Sequence, residues 1–350
     1  MTDKNFCLSS YMAYRYICRA DKDFGRGMSH TLIAPVSAED KIGVTDSEDL
    51  DREIQRQFDA LYQKYDNIGI LLSGGMDSAN LAAYLKPGSH AYTFVTPGST
   101  VFNADLERAR QYCKKWSLTH HEVEITFDDY RRLTPIVVQT KCAPVHSIEP
   151  QIYKAALAAR NDGVQLMITG ESADLVFGGM DQLLSRDWTF EDFKQRYVFL
   201  KPEQVLTAPD LSVYDLFETY RRDGDKIDFM TFMDEVFSIE SSSSYLNAFG
   251  TADMPYYDPY ARLEMTEPLD LHRVRNGEPK YLVRGLYHMK YPELEIPFKI
   301  PMPRPVDSIF KSWEGPKRAE FRSDIDMSVL TGNQKWQLWC AELFLNINQL

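Results

Sequence analysis

Residues 68–78 read IGILLSGGMDS, and no other stretch restricts the fold so tightly. Ile68-Gly69-Ile70-Leu71-Leu72 is an unbroken apolar run, as expected of a strand buried on both faces of a parallel sheet. It breaks at Ser73-Gly74-Gly75. A helical pattern follows from Asp77 to Leu85 and stops before Pro87-Gly88. A glycine turn therefore joins a buried strand to the first turn of a helix. Two glycines let the backbone approach a ligand and aim several N–H groups at one spot. The helix start adds partial positive charge suited to phosphate. Leu72, Ser73, Gly74, Gly75, Asp77 and Ser78 are thus candidate nucleotide-binding residues. A carboxylate beside a bound phosphate needs a cation between them, which makes Asp77 a candidate Mg²⁺ ligand. The plainer reading is an ordinary turn with Ser73 or Asp77 as helix N-cap. The full Ser-Gly-Gly-x-Asp-Ser run after an apolar strand is more specific than that.

The sequence contains no G-x-x-x-x-G-K-[ST], so this is not a kinase-type phosphate loop. The stretch resembles the pyrophosphate loop of the ATP pyrophosphatases. The resemblance implies cleavage of ATP between its α and β phosphates and activation of a substrate as its adenylate.

The pattern around this loop alternates. Asp49–Tyr65 has helical spacing, Ala91–Val95 reads as a strand ending at Thr96, Asp105–Trp116 as an amphipathic helix, His120–Ile125 as a strand, Pro150–Arg160 as a helix and Val164–Thr169 as a strand. Such βαβ units predict an α/β fold with a doubly wound parallel sheet, whose ligands sit at the carboxyl ends of the strands. Thr96, at one such end, joins the candidate nucleotide contacts. Before the sheet, Phe6–Ile17 reads as a short helix. Beyond Gly179 the chain reads as mostly helical: Trp188–Val205, Val213–Arg222, Ile227–Phe237, Pro279–Met289 and Asn333–Asn346, with the Ser241–Ser244 run as a loop. The expected division is an N-terminal extension over residues 1–48, a nucleotide-binding core over 49–180, and a helical substrate or cap region over 181–350.

A second acidic loop follows the strand ending at Thr169: Gly170-Glu171-Ser172-Ala173-Asp174-Leu175-Val176-Phe177-Gly178-Gly179. Two strand ends of one sheet can bring Asp77 and Asp174 to one phosphate site. Two carboxylates about 4 Å apart repel by about 4 kcal/mol at an effective dielectric of ~20. A divalent cation reverses that sign, so the pair predicts Mg²⁺ bridging the β and γ phosphates, with Gly170 and Glu171 beside the nucleotide. The plainer reading is a helix-capping loop with Asp174 solvated.

TGESADLVFGG resembles the asparagine synthetase signature G-E-G-[AS]-D-E-[LV]-F-G-G, departing from it at Ser172 and Leu175, and Met180 stands where the family has the following tyrosine. Further matches follow in the family's order. Lys280–Arg284 (KYLVR) resembles its Lys-x-x-x-Arg helix, and Phe298–Pro303 (FKIPMP) resembles the segment with its catalytic lysine. The resemblance implies an adenine nucleotide alpha hydrolase-like fold, ATP and Mg²⁺ as cofactors, Asp77 and Asp174 as metal ligands and catalytic groups, and Lys299 as the catalytic lysine that neutralises developing charge. Lys280 and Arg284, at i and i+4 on one helix face, are expected to hold pyrophosphate or a substrate carboxylate; solvated helix charges are as plain a reading. Gly250–Asp258 aligns through Pro255 and Asp258. That alignment sets Thr251 where the family has its active-site glutamate and Asp253 where it has arginine. The acyl acceptor site is therefore altered, and free aspartate is not the expected substrate.

The expected function is amide-bond formation: a substrate carboxylate is adenylated with loss of pyrophosphate, and the acyl group passes to ammonia or an amine. The glutaminase domain with which such enzymes normally begin is not expected, because the stretch before the nucleotide loop is too short to hold it. Ammonia would then come from solution or from a separate glutaminase or biosynthetic partner protein. A homodimer is also compatible with the family. The alternatives are another ATP pyrophosphatase-type enzyme acting on a nucleobase or tRNA, or an inactive ATP-binding partner subunit. A formal net charge of −12 argues against nucleic acid. No apolar run reaches membrane-spanning length and Met1–Asn5 is polar, so a cytoplasmic protein is expected. Cys7, Cys18, Cys113, Cys142 and Cys340 have neither CxxC nor zinc-site spacing. His120, His121 and His146 read as packing residues before general bases.

Overall fold

The computed structural model describes residues 1–30, 32–33, 36–97, 103–298 and 304–350. Its centre is a five-stranded, all-parallel sheet. In chain order its strands are β2 (Ile68–Leu71), β3 (His90–Val95), β4 (Thr119–Glu124), β5 (Leu166–Ile168) and β8 (Tyr256–Tyr257), and across the sheet they run β4-β3-β2-β5-β8. The remaining strands are outlying. β1 (Ile42–Val44) pairs in parallel with β9 (Leu263–Met265), and β6 (Arg221–Arg222) with β7 (Lys226–Ile227) makes a small hairpin.

From β2 the chain steps through α3 (Met76–Ala82) to β3 and through α4 (Asn103–Trp116) to β4. It then doubles back through α5 (Phe127–Lys141) and α6 (Glu149–Asn161) to β5, on the other side of β2. The order reverses between β2 and β5, so the crevice of this doubly wound sheet opens there, at the carboxyl ends of those two strands.

The apolar runs follow from burial on both faces. Ile68, Ile70, Ala91, Leu166 and Ile168 pack with Phe58 of α2 (Ser47–Leu61), Ala79 of α3 and Tyr112 of α4. Leu71, Tyr92, Phe94 and Met167 point the other way, into Val137 of α5 and Ile152 of α6. At about 25 cal/mol per Å² of apolar area removed from water, this two-sided burial dominates the stability of the sheet.

The expected elements between 49 and 169 are observed to within a few residues, and α5 is an addition to them. It carries Pro135 in its interior yet starts on a Thr126–Asp129 capping box, which satisfies its first N–H groups. The largest departure lies further on. Phe229–Phe232, a wide π turn over Met233–Phe237, and Ser238–Thr251 form one continuous helical run. The Ser241–Ser244 run, expected as a loop, sits in its middle with Ser243 and Ser244 buried. The expected helix over Trp188–Val205 is two pieces, Phe190–Tyr197 and Pro202–Val205. Tyr256–Tyr257, from the half read as helical, is the edge strand of the main sheet.

Residues 183–236 gather an aromatic cluster around Phe193, Phe217 and Phe232, to which α1 (Lys4–Tyr14) adds Phe6 and Tyr14. α1 also touches the helix Gly332–Asn348, whose Gln337 side chain donates to the Tyr11 carbonyl. The helix Tyr281–Lys290 lies against α2 and α3. Among the described residues no helix is long and apolar enough to cross a membrane.

Candidate active site

The turn after β2 is held open by its own side chains. Ser73 N–H donates to Ser78 Oγ at 3.1 Å, and Gly75 N–H donates to Ser73 Oγ at 3.3 Å. Gly74 has φ +77°, and a Cβ there would lie 2.1 Å from the Asp105 carbonyl oxygen, so only glycine fits without a shift. Its carbonyl accepts from Arg108 Nε at 3.2 Å, which clamps the turn to α4. α3 starts at Met76, and the first N–H groups of a helix have no partners within it. Asp77 stands in that first turn.

The turn after β5 faces it. Asp258, buried beyond β8, accepts Ser172 N–H at 2.8 Å and Tyr260 N–H at 3.0 Å. That arrangement fixes the loop carrying Glu171 and the short helix α7 (Ala173–Val176) carrying Asp174. Tyr260 reaches across and donates its hydroxyl to the Asp77 carbonyl at 3.1 Å, tying one strand end to the other.

Between the two loops lies Lys280. Its Nζ is 2.8 and 2.7 Å from the two Asp77 carboxylate oxygens and 2.9 Å from Asp174 Oδ1. It is 5 % exposed. Burial opposes its positive charge, but the charges of Asp77 and Asp174 outweigh that, and its pKa is raised. The two acids expected to converge do converge, and an ammonium stands between them. Lys280 does not share a helix face with Arg284 as the spacing implied. It precedes the helix, at φ +55°, and that left-handed kink turns its side chain inward.

Glu171 is a further, half-buried acid of the crevice. It accepts Ser241 Oγ–H at 2.7 Å, a contact made because the serine run is helical. Burial, and then the nearby charge of Asp258, push Glu171 up from its ordinary 4.5 to about 8, against the hydrogen bonds from Ser241 and Ser242. Burial likewise raises Asp258 to about 6. Ser241 carried no sequence signal, since a serine run favours loops over helix interiors.

These loops open into a cleft of about 770 Å³. Leu72, Ser73, Gly75, Asp77, Ser78, Gly170, Glu171, Asp174 and Lys280 line it, together with Arg275 and Arg284. Gly74 supports the turn from behind, and Thr96 is not among the lining residues. Thr251 also stays out of the lining, its hydroxyl donating back to the Asn247 carbonyl at 2.6 Å. Lys299 lies outside the described residues, as does the segment to Pro303. His120 bonds Thr93 at 2.8 Å between strands, as a packing residue does.

The arrangement fits a nucleotide and a hard cation. The cleft is of ligand size, the turn presents backbone N–H groups, and two carboxylates converge on the Lys280 ammonium, an oxygen donor set that suits Mg²⁺.

The asparagine synthase family model matches residues 49–247. Asparagine synthetase [glutamine-hydrolyzing] 2 of Bacillus subtilis (strain 168) is 30% identical over 127 residues, which cover 34% of this chain and 17% of that protein. Asparagine synthetase B [glutamine-hydrolyzing] of Escherichia coli (strain K12) is 24% identical over 159 residues, which cover 40% of this chain and 28% of that protein. The matched stretches thus span less than a third of either relative. Among solved structures, an NH3-dependent NAD synthetase from Campylobacter jejuni has 18% identity and a TM-score of 0.28, over 38% of this chain and 61% of that one.

Proposed function

The chain belongs to the asparagine synthase family, and on that premise we propose that it is an ATP-dependent, AMP-forming synthetase that joins a carboxylic acid to ammonia or an amine. The observation that carries the reading is the convergence of Asp77 and Asp174 at adjacent strand ends inside the cleft. The turn Leu72–Ser78 would hold pyrophosphate through backbone N–H groups, and Asp77 and Asp174 would hold Mg²⁺. That ion supplies charge neutralisation of the triphosphate. An oxygen of the substrate carboxylate forms a bond to the α-phosphorus as the bond to the bridging oxygen of pyrophosphate breaks. Ammonia or an amine then bonds to the acyl carbon, AMP leaves, and the nitrogen loses a proton. Glu171, with a pKa near 8, is poised to hold or move that proton close to neutral pH. Lys280 and Lys299 are the cations assigned to the phosphates. A separate protein or solution would supply ammonia.

The withdrawal of the Thr251 hydroxyl into its own helix favours an acid other than aspartate. The reading is tested by pyrophosphate release from MgATP over a panel of carboxylic acids, each with ammonium or small amines. Stimulation by at least one pair is expected, with a loss of about 100-fold or more in Asp77→Asn and Asp174→Asn. Binding of MgATP without stimulation by any pair would favour an ATP-binding partner subunit. Unchanged rates in both variants would remove the metal assignment.

A further inference from the structure

Toward the amino ends of β3 and β4, outside the cleft lining just described, three potential ligands meet. The geometry points to a second site, in which His90, His121 and Asp162 form a solvent-accessible centre for a divalent first-row transition ion, Zn²⁺ foremost. His90 Nδ1 lies 2.8 Å from His121 Nε2, and His121 Nδ1 lies 3.7 Å from Asp162 Oδ2. One ligand atom from each of the three lies within 4.8 Å of the others. Tetrahedral zinc, with bonds of about 2.0–2.1 Å, sets its ligands about 3.3 Å apart, so the two imidazoles must part by about 0.5 Å and turn until their facing lone pairs meet at the ion rather than head-on. Two imidazoles and a carboxylate select Zn²⁺, Co²⁺, Ni²⁺ or Cu²⁺ over Mg²⁺ or Ca²⁺.

The fold supplies the surroundings such a site needs. Parallel pairing of β3 with β4 sets Tyr92 opposite His121, with ring centroids 4.7 Å apart, and the His90 ring meets His121 edge to edge, centroids 5.0 Å apart, through the 2.8 Å N···N contact. The Tyr92 hydroxyl donates to Asp162 Oδ2 at 2.8 Å and orients the carboxylate. Asp162 follows the last turn of α6, where the helix end favours a cation. Without an ion, a single N–H···N bond joins the imidazoles. Ligation requires both facing nitrogens to be bare, so the shared proton moves to a far ring nitrogen and each imidazole carries its one proton away from the ion. No electron transfer is involved. The ion would tie β3, β4 and the turn after α6 together, independently of any chemistry in the cleft.

The test uses the full chain with any histidine tag removed. Zn²⁺ is titrated calorimetrically, and Co²⁺ is followed by visible absorption. One equivalent at micromolar affinity or tighter is expected, with the d–d bands of a nitrogen–oxygen tetrahedral site and a rise in unfolding temperature. His121→Ala should weaken binding by more than 100-fold. Asp162→Asn, which keeps the shape of the site, should weaken it by about 10–100-fold. Asp174→Asn should leave it unchanged, which separates this site from the cleft acids. If His121→Ala does not fold, Asp162→Asn and His90→Asn decide. Absence of a stoichiometric equivalent, a cobalt–thiolate charge-transfer band, or binding indifferent to these variants would overturn the proposal.

Discussion

Lys280 bonds both carboxylate oxygens of Asp77, at 2.8 and 2.7 Å, across 203 residues of chain. The pair joins the start of one helix to the residue preceding another and brings Asp174 into the same cluster. Removing the ammonium takes away a positive charge that Asp77 and Asp174 share in a crevice where each is about a quarter exposed. Breaking a fully buried pair costs roughly 3–5 kcal/mol, and partial exposure reduces that here. Lys280→Met should therefore lower stability by about 2 kcal/mol in chemical denaturation. Millimolar Mg²⁺ should restore more of the loss than monovalent salt at equal ionic strength, since a divalent ion can take the vacated position.

Gly74 and Gly250 make a matched contrast. At Gly74, φ is +77° and an added Cβ meets the Asp105 backbone, so Gly74→Ala should cost at least about 3 kcal/mol and disturb nucleotide binding. At Gly250, inside a helix, nothing lies within 4 Å of an added Cβ, so Gly250→Ala should stabilise by about 0.5–1 kcal/mol. Thermal unfolding of the two variants checks both signs.

Glu171 predicts a pH dependence. Its folded-state pKa, near 8, lies above the ordinary 4.5. The folded state therefore binds its proton more tightly than the unfolded state. The resulting stability is fully present below about 4.5 and is lost as pH rises through about 8. Asp258, raised to about 6, adds a lower limb to the same fall. Denaturation midpoints measured from pH 5 to 9 should decline, and Glu171→Gln should flatten the upper limb.

Ser241 acts on that limb through Glu171. Its hydroxyl donates to the carboxylate and so favours the charged form. Ser241→Ala should move the limb to higher pH without abolishing it. Carboxyl-carbon NMR of Glu171 reads the same displacement directly; no displacement would show that the hydrogen bond does not tune the group.

The sheet and the paired acids were legible because each rests on local pattern. Ile68–Leu72 can be apolar without a break only if both faces are covered, and each acidic loop follows such a strand. What was not legible depends on distant partners. The serine run is helical because Ser243 and Ser244 are buried, Ser241 meets Glu171, and the neighbouring Glu240 pairs with Arg15 at 2.8 Å. Tyr256–Tyr257 is too short to show a period of two. Helical spacing puts Lys280 beside Arg284, but its positive φ takes it off the helix, a backbone choice that the side-chain pattern does not encode. Thr96 shows the limit of placing contacts by topology, since it lies at a strand end yet outside the lining of the cleft.

The wide turn over Met233–Phe237 has a consequence for how this region tolerates change in length. An extra residue absorbed as a bulge leaves the helical faces before and after it aligned. Shortening the chain by one residue within the bulge would convert it to regular helix while Phe232 and Ser241 keep their bearings. A one-residue deletion at Ser238 or Ile239 leaves the same count between Phe232 and Ser241, so closing the bulge absorbs it equally, whereas a regular helix of that length would rotate the two faces by about 100° relative to each other and swing the serine hydroxyl off the acid it steadies. The bulge thus serves as slack of one residue for the whole interval between Phe232 and Ser241.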